Sequence, residues 1–578
     1  MPFKLGKMIL FTCITTMLII ITATPSLSIT RAFLLKNVFD ALEIPAFTGK
    51  IQYSDVPASH PYAHYIETAR KFGIIFPGER FHPDMEITRA EGIMFTFKAM
   101  GWHHEAGLAE HFSLTSARDI PPFIAPYLCL GKEVIPHIPE QMLNSPRTNM
   151  DENDLAALVR WIRQCRSRII WHKEIQDNGF TLILHREGIG SSPASWSIFI
   201  SEFERPDKAK AIQDILDQKG FRTYISNTGC AYSLFIGTFP DYVAAWKHLK
   251  DLPEGYAGSI VPTGNRNGHA LFWTAIVSDT SEGQVSILTA PEIGGYKLPI
   301  SHMAENAGAI AAVNGGYFTG KYPIGTLVSE SFPLSLSYGH RSAVGWNSTG
   351  QIHFSSGAFK PFVKVLDRKL QISRINRAPS DNSTALFSRK WGTYGPALPP
   401  DSLEATIIDG KITQVRESSR SNHFLPHTGF VMAARGYSRN IFTDLGPDTP
   451  GSISLSWQDP EMKGSSNVIQ GGPLLLKNGS VFAGNEGLSS AITQKRHPRT
   501  IVASDGKKMY WIIIDGRNSW HSSGLTMDET RRLLLDMNLT DALNLDGGGS
   551  SELWWKGRII NSLPGGRERH MPYCVIFK

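Results

Sequence analysis

The chain has 578 residues, 42% of them hydrophobic and 19% charged, with a formal net charge of +6 at pH 7. That is too long for a single core and too apolar for a disordered chain, so several globular domains are expected. A charge this small over this length, with no dense Lys/Arg stripe and no nucleic-acid motif, argues against a nucleic-acid partner.

Lys4 and Lys7 precede an apolar run from Met8 to Ile21, followed by small residues two apart in Thr24-Pro-Ser26-Leu-Ser28. This is the pattern of a secretory signal peptide spanning 1–28, the competing reading being an uncleaved anchor. The run is short for a bilayer span and no later run is longer, so no stable membrane span is expected after cleavage. Cys129, Cys165, Cys230 and Cys574 would remain, few for an exported chain of this size, so stability must come from cores; Cys129 and Cys165 could form one bridge. No CxxC pair or His/Cys cluster suggests zinc.

From residue 50 to 170 the sequence is helical in pattern. Thr88-Arg-Ala-Glu91 is a capping box for a helix burying Ile93, Met94 and Phe97. Together with Tyr53-Ser-Asp-Val-Pro57 and Phe81-His-Pro83, it closely resembles an S-layer homology module. A degenerate second copy, lacking the Thr-Arg-Ala-Glu element, runs from Asp119 to a helix with Leu155, Leu158 and Trp161. The resemblance implies attachment to a wall glycan or secondary wall polymer.

Residues 195–262 read strand, helix, strand, strand, helix, strand. Ser197-Ile-Phe-Ile200 leads into a helix with Ala209, Ile212 and Leu216 that ends by Gly220, and Tyr232 to Phe239 leads into a second helix with Val243, Ala244 and Trp246. Two halves, each with its strand before its helix, resemble a SPOR domain, which implies peptidoglycan binding.

The region 271–578 is strand-rich and punctuated by glycine. In it four junctions follow apolar runs: Asn314-Gly315-Gly316, Gln470-Gly471-Gly472, Asp515-Gly-Arg517, and Asp546-Gly547-Gly548-Gly549-Ser550-Ser551. Glycine after a strand lets backbone N–H groups approach an anionic oxygen, and together the junctions suggest one cavity into which Asn314, Asp515 and Asp546 project. An Asp505-Gly506 turn predicts a hairpin bringing His497 and Arg499 to the end where Asp515 lies, and Thr526 with Glu529 caps a helix before the strand ending at Asp546. If the strands ending at Asp515 and Asp546 are parallel, both carboxylates share one sheet edge. Arg499, Arg517, Arg567 and Arg569 supply planar guanidinium groups suited to a phosphate beside a neutral sugar.

In this order, Asn314-Gly-Gly-Tyr-Phe318, Gln470-Gly-Gly-Pro473, His497-Pro-Arg-Thr500, Asp515-Gly-Arg517, Asn544-Leu-Asp-Gly-Gly-Gly-Ser-Ser551 and Glu568-Arg569 resemble the phosphodiester glycosidase family. Tyr573 and Glu552 stand where that family often carries an asparagine and a small residue. The resemblance implies an enzyme that removes a sugar, N-acetylglucosamine-like, held through its anomeric carbon to a phosphodiester. Asp515, Asp546, Asn314 and Arg499 are the expected catalytic residues. Gly315, Gly316, Gly471, Gly472, His497, Arg517, Gly547, Gly548, Gly549, Ser550, Ser551 and Arg569 are the expected substrate-binding residues.

A phosphate monoester leaves readily, so arginine can replace strong general-acid help, while an aspartate activates water or attacks carbon. No cofactor is indicated, although hard oxygen ligands leave room for a divalent cation between the two aspartates. The expected fold is multidomain α+β: a small helical module, a βαββαβ domain and a large strand-rich mixed α/β catalytic domain. The expected setting is secreted and wall-associated, acting on a sugar-phosphate diester. The rivals are a non-catalytic wall-glycan binder and a metal-dependent phosphodiesterase. The stretch Phe354 to Phe442, between the first and second motifs, carries no motif that can be assigned.

Overall fold

The computed structural model describes residues 28–47, 51–75, 78–113, 120–190, 195–203, 205–227, 232–263, 270–279, 284–291, 296–417 and 424–578. The expected signal segment and Cys230 therefore lie outside the described residues, apart from Ser28. Cys129, Cys165 and Cys574 are buried free thiols, so the bridge that the sequence left open between the first two is not formed.

The helical region is built as its capping signals predict. Thr88 and Glu91 close a reciprocal capping box on helix Arg89–Met100, whose Ile93, Met94 and Phe97 are buried. Asp151 and Asp154 do the same for Glu152–Ser167, which buries Leu155, Leu158 and Trp161. The next domain has the expected element order, with strands Ser195–Phe203, Thr223–Asn227, Tyr232–Phe239 and Ser259–Thr263 and helices Pro206–Gln218 and Tyr242–Lys250. Its four strands form one antiparallel sheet.

The C-terminal region is organised by two facing sheets. The eight-stranded sheet runs, in spatial order, Ile170–Asp177, Phe180–Glu187, Leu271–Asp279, Lys508–Ile514, Arg499–Ser504, Asp541–Asn544, Leu474–Lys477 and Ser480–Val481. It begins earlier than residue 271: strand Phe180–Glu187 of the hairpin at 170–187 pairs with residues 271–278. The βαββαβ domain is thus inserted between two adjacent strands of this sheet.

Alternation along each strand sorts side chains into layers. Trp511 and Ile513 face a second sheet through Val313, Val575 and Phe577, whereas Ile512 and Ile514 pack with Met527 and Leu534 of helix Met527–Asp536. In the second sheet Ala312, Trp554, Cys574 and Ile576 turn outward onto Ile300 and Met303 of helix Ile300–Asn306. The order is helix, sheet, sheet, helix. Both sheets are antiparallel, because hairpins and cross-sheet loops rather than βαβ crossovers connect their neighbouring strands.

The stretch without a sequence assignment folds as an insertion with its own core. Strands Arg374–Ile375, Thr384–Phe387, Phe430–Arg435, Ser402–Ile408 and Lys411–Glu417 make a five-stranded sheet, packed through Ile375, Leu386, Ala405 and Met432. Asn376, in the left-handed region at φ 53°, donates from Nδ2 to the Leu334 carbonyl (3.3 Å) and ties the insertion to the main body.

Candidate active site

All four glycine junctions follow strands, at Ala311–Asn314, Asn467–Gln470, Lys508–Ile514 and Asp541–Asn544. The strands ending at Asp515 and Asp546 point the same way, with Arg499–Ser504 antiparallel between them. Both carboxylates therefore lie on one sheet edge, two strand spacings or about 10 Å apart at the backbone.

Three junctions interlock through buried side-chain amides. Asn314 Nδ2 donates to the Asp546 carbonyl (2.8 Å), and its Oδ1 accepts from Thr500 Oγ1 (2.8 Å) and the Glu552 N–H (3.2 Å). Asn544 Nδ2 donates to the Gly472 carbonyl and to the Tyr317 hydroxyl, both at 3.0 Å. Ser551 Oγ lies 3.2 Å from Thr500 Oγ1 in the same buried knot.

The glycines serve close packing more than ligand binding, which corrects the expectation that their N–H groups face a cavity. Gly316 N–H donates to the Tyr573 hydroxyl (2.8 Å), Gly471 N–H to the Ser342 carbonyl, Gly472 N–H to the Asn544 carbonyl and Gly548 N–H to the Pro498 carbonyl. A Cβ on Gly315 would sit 2.2 Å from the Tyr573 ring, and one on Gly547 would sit 2.8 Å from the Pro498 carbonyl oxygen. On Gly471 a Cβ would meet the Asn544 carbonyl oxygen at 2.4 Å. Gly471→Ala is expected to destabilise by about 1–3 kcal/mol, since rigid backbone must shift; chemical denaturation measures it, and a change inside a few tenths would refute the packing role.

A cavity of about 790 Å³ opens beside this knot, and of the expected site residues Asp546 and Arg569 line it. Asp546 is 7% exposed, its Oδ2 accepts from Ser550 Oγ (2.6 Å), and Arg569 Nη1 donates to Ser550 Oγ (2.9 Å). The serine thus bridges acid and guanidinium. Tyr317, Phe318, Tyr322 and Tyr338 provide aromatic walls, and Arg569 stacks over Phe318 with 5.4 Å to the ring centre. Asp546 is the one carboxylate on this lining among the described residues.

The other expected site residues lie elsewhere. Asp515 is 1% exposed, with Oδ2 accepting from the Ser562 N–H (2.7 Å) and paired with His521 Nε2 (2.8 Å). His521 Nδ1 lies 2.9 Å from Glu105, which also pairs with Arg186 Nε at 2.9 Å. Burial alone would lower the pKa of His521, but Glu105 and Asp515 outweigh it and push it up to about 9. Burial would likewise raise Glu105, yet His521 and Arg186 leave it at about 2.

His104, Asp515 and His521 bring ligand atoms within 4.8 Å of one another. Both ring nitrogens of His521 already face carboxylates, so the set fits an imidazolium held between two acids better than a metal ion. A cation shared by Asp515 and Asp546 does not fit the cavity either, since Asp546 lines it and Asp515 does not.

Arg499 is 2% exposed and donates to the carbonyls of Leu525, Ile492 and Lys495, which staples loops together. His497 accompanies it, with Nε2 2.9 Å from the Ala491 carbonyl. Arg517 pairs with Glu202 of the inserted βαββαβ domain (3.1 Å), and a Cβ on Gly549 would fall 1.8 Å from that same carboxylate. The inserted domain therefore rests directly on the Asp546 loop, helped by Ser259 Oγ donating to the Gly565 carbonyl and Arg567 to the Ile200 carbonyl.

Sequence reasoning passed over Arg341, Arg374, Arg377 and Asn376, all on the cavity lining. Three of them belong to the stretch without a recognisable pattern, and lone arginines in such a stretch carry no local signal. Glu552 is also buried, and burial together with the neighbouring Glu568 holds its carboxyl well above the usual range.

Family models match three segments: S-layer homology domain over 52–91, SPOR domain over 192–263 and phosphodiester glycosidase over 402–578. The last includes the Gln470, Asp515 and Asp546 junctions and begins after Asn314; from 402 to 442 it also covers the end of the stretch that the sequence left unassigned, which corrects that reading for those residues. A curated relative, the SPbeta prophage-derived uncharacterized protein YomE of Bacillus subtilis (strain 168), is 41% identical over 76 residues, which is 13% of this chain and 12% of that protein. Among solved structures, a Burkholderia pseudomallei K96243 protein described as exported aligns with TM-score 0.48 and 18% identity, over 71% of this chain and 96% of its own. The catalytic domain of zebrafish N-acetylglucosamine-1-phosphodiester alpha-N-acetylglucosaminidase aligns with TM-score 0.29 and 13% identity, over 62% of this chain and 82% of its own.

The wall-binding families indicate association with the cell envelope, and no helix among the described residues is long and apolar enough to cross a membrane. The chain combines an S-layer homology domain and a SPOR domain with a domain of the phosphodiester glycosidase family.

Proposed function

We propose that this chain is an exported, wall-associated hydrolase that releases a sugar from a sugar-1-phosphate diester of a wall polymer or exopolysaccharide. The observation that carries the reading is a cavity with one carboxylate, Asp546, set among guanidinium groups and aromatic rings. Rings suit the apolar faces of a sugar and guanidinium suits phosphate.

Asp546 takes the proton from a water that attacks the anomeric carbon. As the new carbon–oxygen bond forms, the bond from that carbon to the phosphate oxygen breaks and its electron pair stays on the phosphate. Arg569 holds the charge that develops there, so no second acid is needed. Ser550 and the amide of Asn314 keep the Asp546 side chain and backbone in place. Among the described residues no second carboxylate that could hydrolyse a covalent intermediate lines the cavity, so the reaction is expected to invert the anomeric centre.

A panel of sugar-1-phosphate diesters, assayed with and without chelator and followed by proton NMR, tests this. Release of sugar with inverted configuration is expected, and oxygen-18 from water should enter the sugar. Label in the phosphate would establish phosphorus–oxygen cleavage instead, and ligand binding without turnover would favour a wall-glycan binder.

A further inference from the structure

We propose that Arg341, Arg374, Arg377 and Asn376 form a second anion subsite, so that the substrate is a polymer of repeating sugar phosphates and not a lone diester. The proposal rests on the glycosidase reading for which bond is cut, but not for what is bound.

The charge of the lining carries the argument. Four arginines and a single carboxylate line the cavity, an excess of three positive charges over neutral, while a phosphodiester carries only one negative charge. No ion pair among the described residues occupies Arg341, Arg374 or Arg377. Gathering guanidinium groups without counter-charges costs Coulomb energy, which an incoming ligand with several anionic groups would relieve.

The geometry gives these arginines a direction. Arg341 stacks between Tyr317 and Tyr338, 5.3 Å from each ring centre, and Arg377 stacks over Tyr322 at 4.6 Å. Stacking holds the guanidinium plane while its N–H edges stay available for two phosphate oxygens. Asp546 is buried, Arg341, Arg374 and Arg569 are half-buried, and Arg377 is exposed, so the positive charge continues from the reacting end to the mouth. At about 790 Å³ the cavity is near the upper end of the range for ligand pockets, roughly 300–1,000 Å³.

Asn376 adds an observation of a different kind. It is 1% exposed, lines the cavity, and its Oδ1 has no hydrogen-bond partner. A buried acceptor left unsatisfied is costly, and a sugar hydroxyl would satisfy it. Phosphate recognised by arginine beside a hydroxyl recognised by an amide oxygen describes the next sugar-phosphate repeat of the same polymer. Both Asn376 and two of the arginines come from the insertion, which would make that domain the part that selects a chain over a fragment.

The test uses the full chain carrying Asp546→Asn and calorimetric titration with two probes, a single sugar-1-phosphate diester and a trimer of the same repeat. The trimer is expected to bind at least about tenfold more tightly, equivalent to about 1.4 kcal/mol, with the advantage shrinking as salt is raised. Arg374→Gln with Arg377→Gln should bring the ratio close to one, and circular dichroism checks that this variant is folded. Arg374→Lys, which keeps the charge but loses the fork, should fall between. Equal affinity for the two probes, no binding of either, or an unchanged ratio in the double variant would overturn the subsite. Inorganic tripolyphosphate binding as tightly as the trimer would reduce it to undirected charge and overturn the saccharide part. Failure of the unsubstituted chain to release sugar would bear on the glycosidase reading alone, because the binding ratio is obtained without turnover.

Discussion

Asp546→Asn is expected to cut sugar release from a phosphodiester substrate by about 10²–10⁴-fold, the range for loss of a positioned general base, while leaving the protein folded. The substitution removes a charge and a base but keeps shape, and the neutral amide oxygen can still accept from Ser550. The neighbouring knot survives because Asn314 holds the backbone carbonyl of Asp546, not its carboxylate. Steady-state kinetics beside thermal melting separates the two effects. Undiminished turnover would remove Asp546 from the chemistry and with it the inverting mechanism. Loss of activity accompanied by unfolding would assign it to the scaffold.

Glu105→Gln should act in the opposite sense, costing about 3–5 kcal/mol of stability, as when one partner of a buried ion pair is removed. Glu105 and Arg186 are fully buried, and the cluster joins helix His103–His111, strand Phe180–Glu187 and the loop after Asp515. The variant leaves Arg186 and the His521 imidazolium without their shared carboxylate. The pH dependence has a definite sign. His521 is raised to about 9, so its contribution is complete below its unfolded pKa near 6.5 and is lost as pH rises through about 9. Glu105 is lowered to about 2, so its contribution is present above about 4.5 and is lost as pH falls through about 2. His104, driven down to about 4 by burial and the adjacent His521 cation, adds instability as it is protonated on the acid side. Melting temperatures should therefore be highest near pH 6.5, fall progressively between about pH 6.5 and 9, and level off above about pH 9 as far as His521 is concerned. In Glu105→Gln the alkaline fall should flatten, because His521 loses one of the carboxylates that keep it charged. Parent-like stability and an unaltered alkaline limb would show that the cluster does not hold these elements together.

The contrast between these two acids locates the boundary of what a sequence can reveal. Asp515 and Asp546 look alike in the chain, each ending an apolar strand before glycine, and both do reach one sheet edge. Only the neighbours each meets in the folded chain separate them: His521, held in turn by Glu105, and the Ser562 N–H claim the first, while Ser550, Arg569 and an aromatic wall surround the second. The same holds for arginine. His497-Pro-Arg499 is a conspicuous motif, yet Arg499 is absorbed by three carbonyls, whereas the inconspicuous Arg374 and Arg377 border the cavity.

Local signals were sufficient wherever short-range energetics dominate. Capping boxes at Thr88 and Thr526, the Asp505-Gly506 hairpin turn, the strand and helix order of residues 195–262 and the strand before each glycine junction follow from hydrogen bonds and alternation within a few residues. The α+β class follows from them in turn. Tertiary structure alone decided that the hairpin at 170–187 completes the sheet, that the SPOR domain is an insertion resting on the Asp546 loop, and that glycines make room for Tyr573 and crossing carbonyls. Those outcomes depend on which segments, hundreds of residues apart, bury one another's surface and charge, and no window of sequence contains both partners.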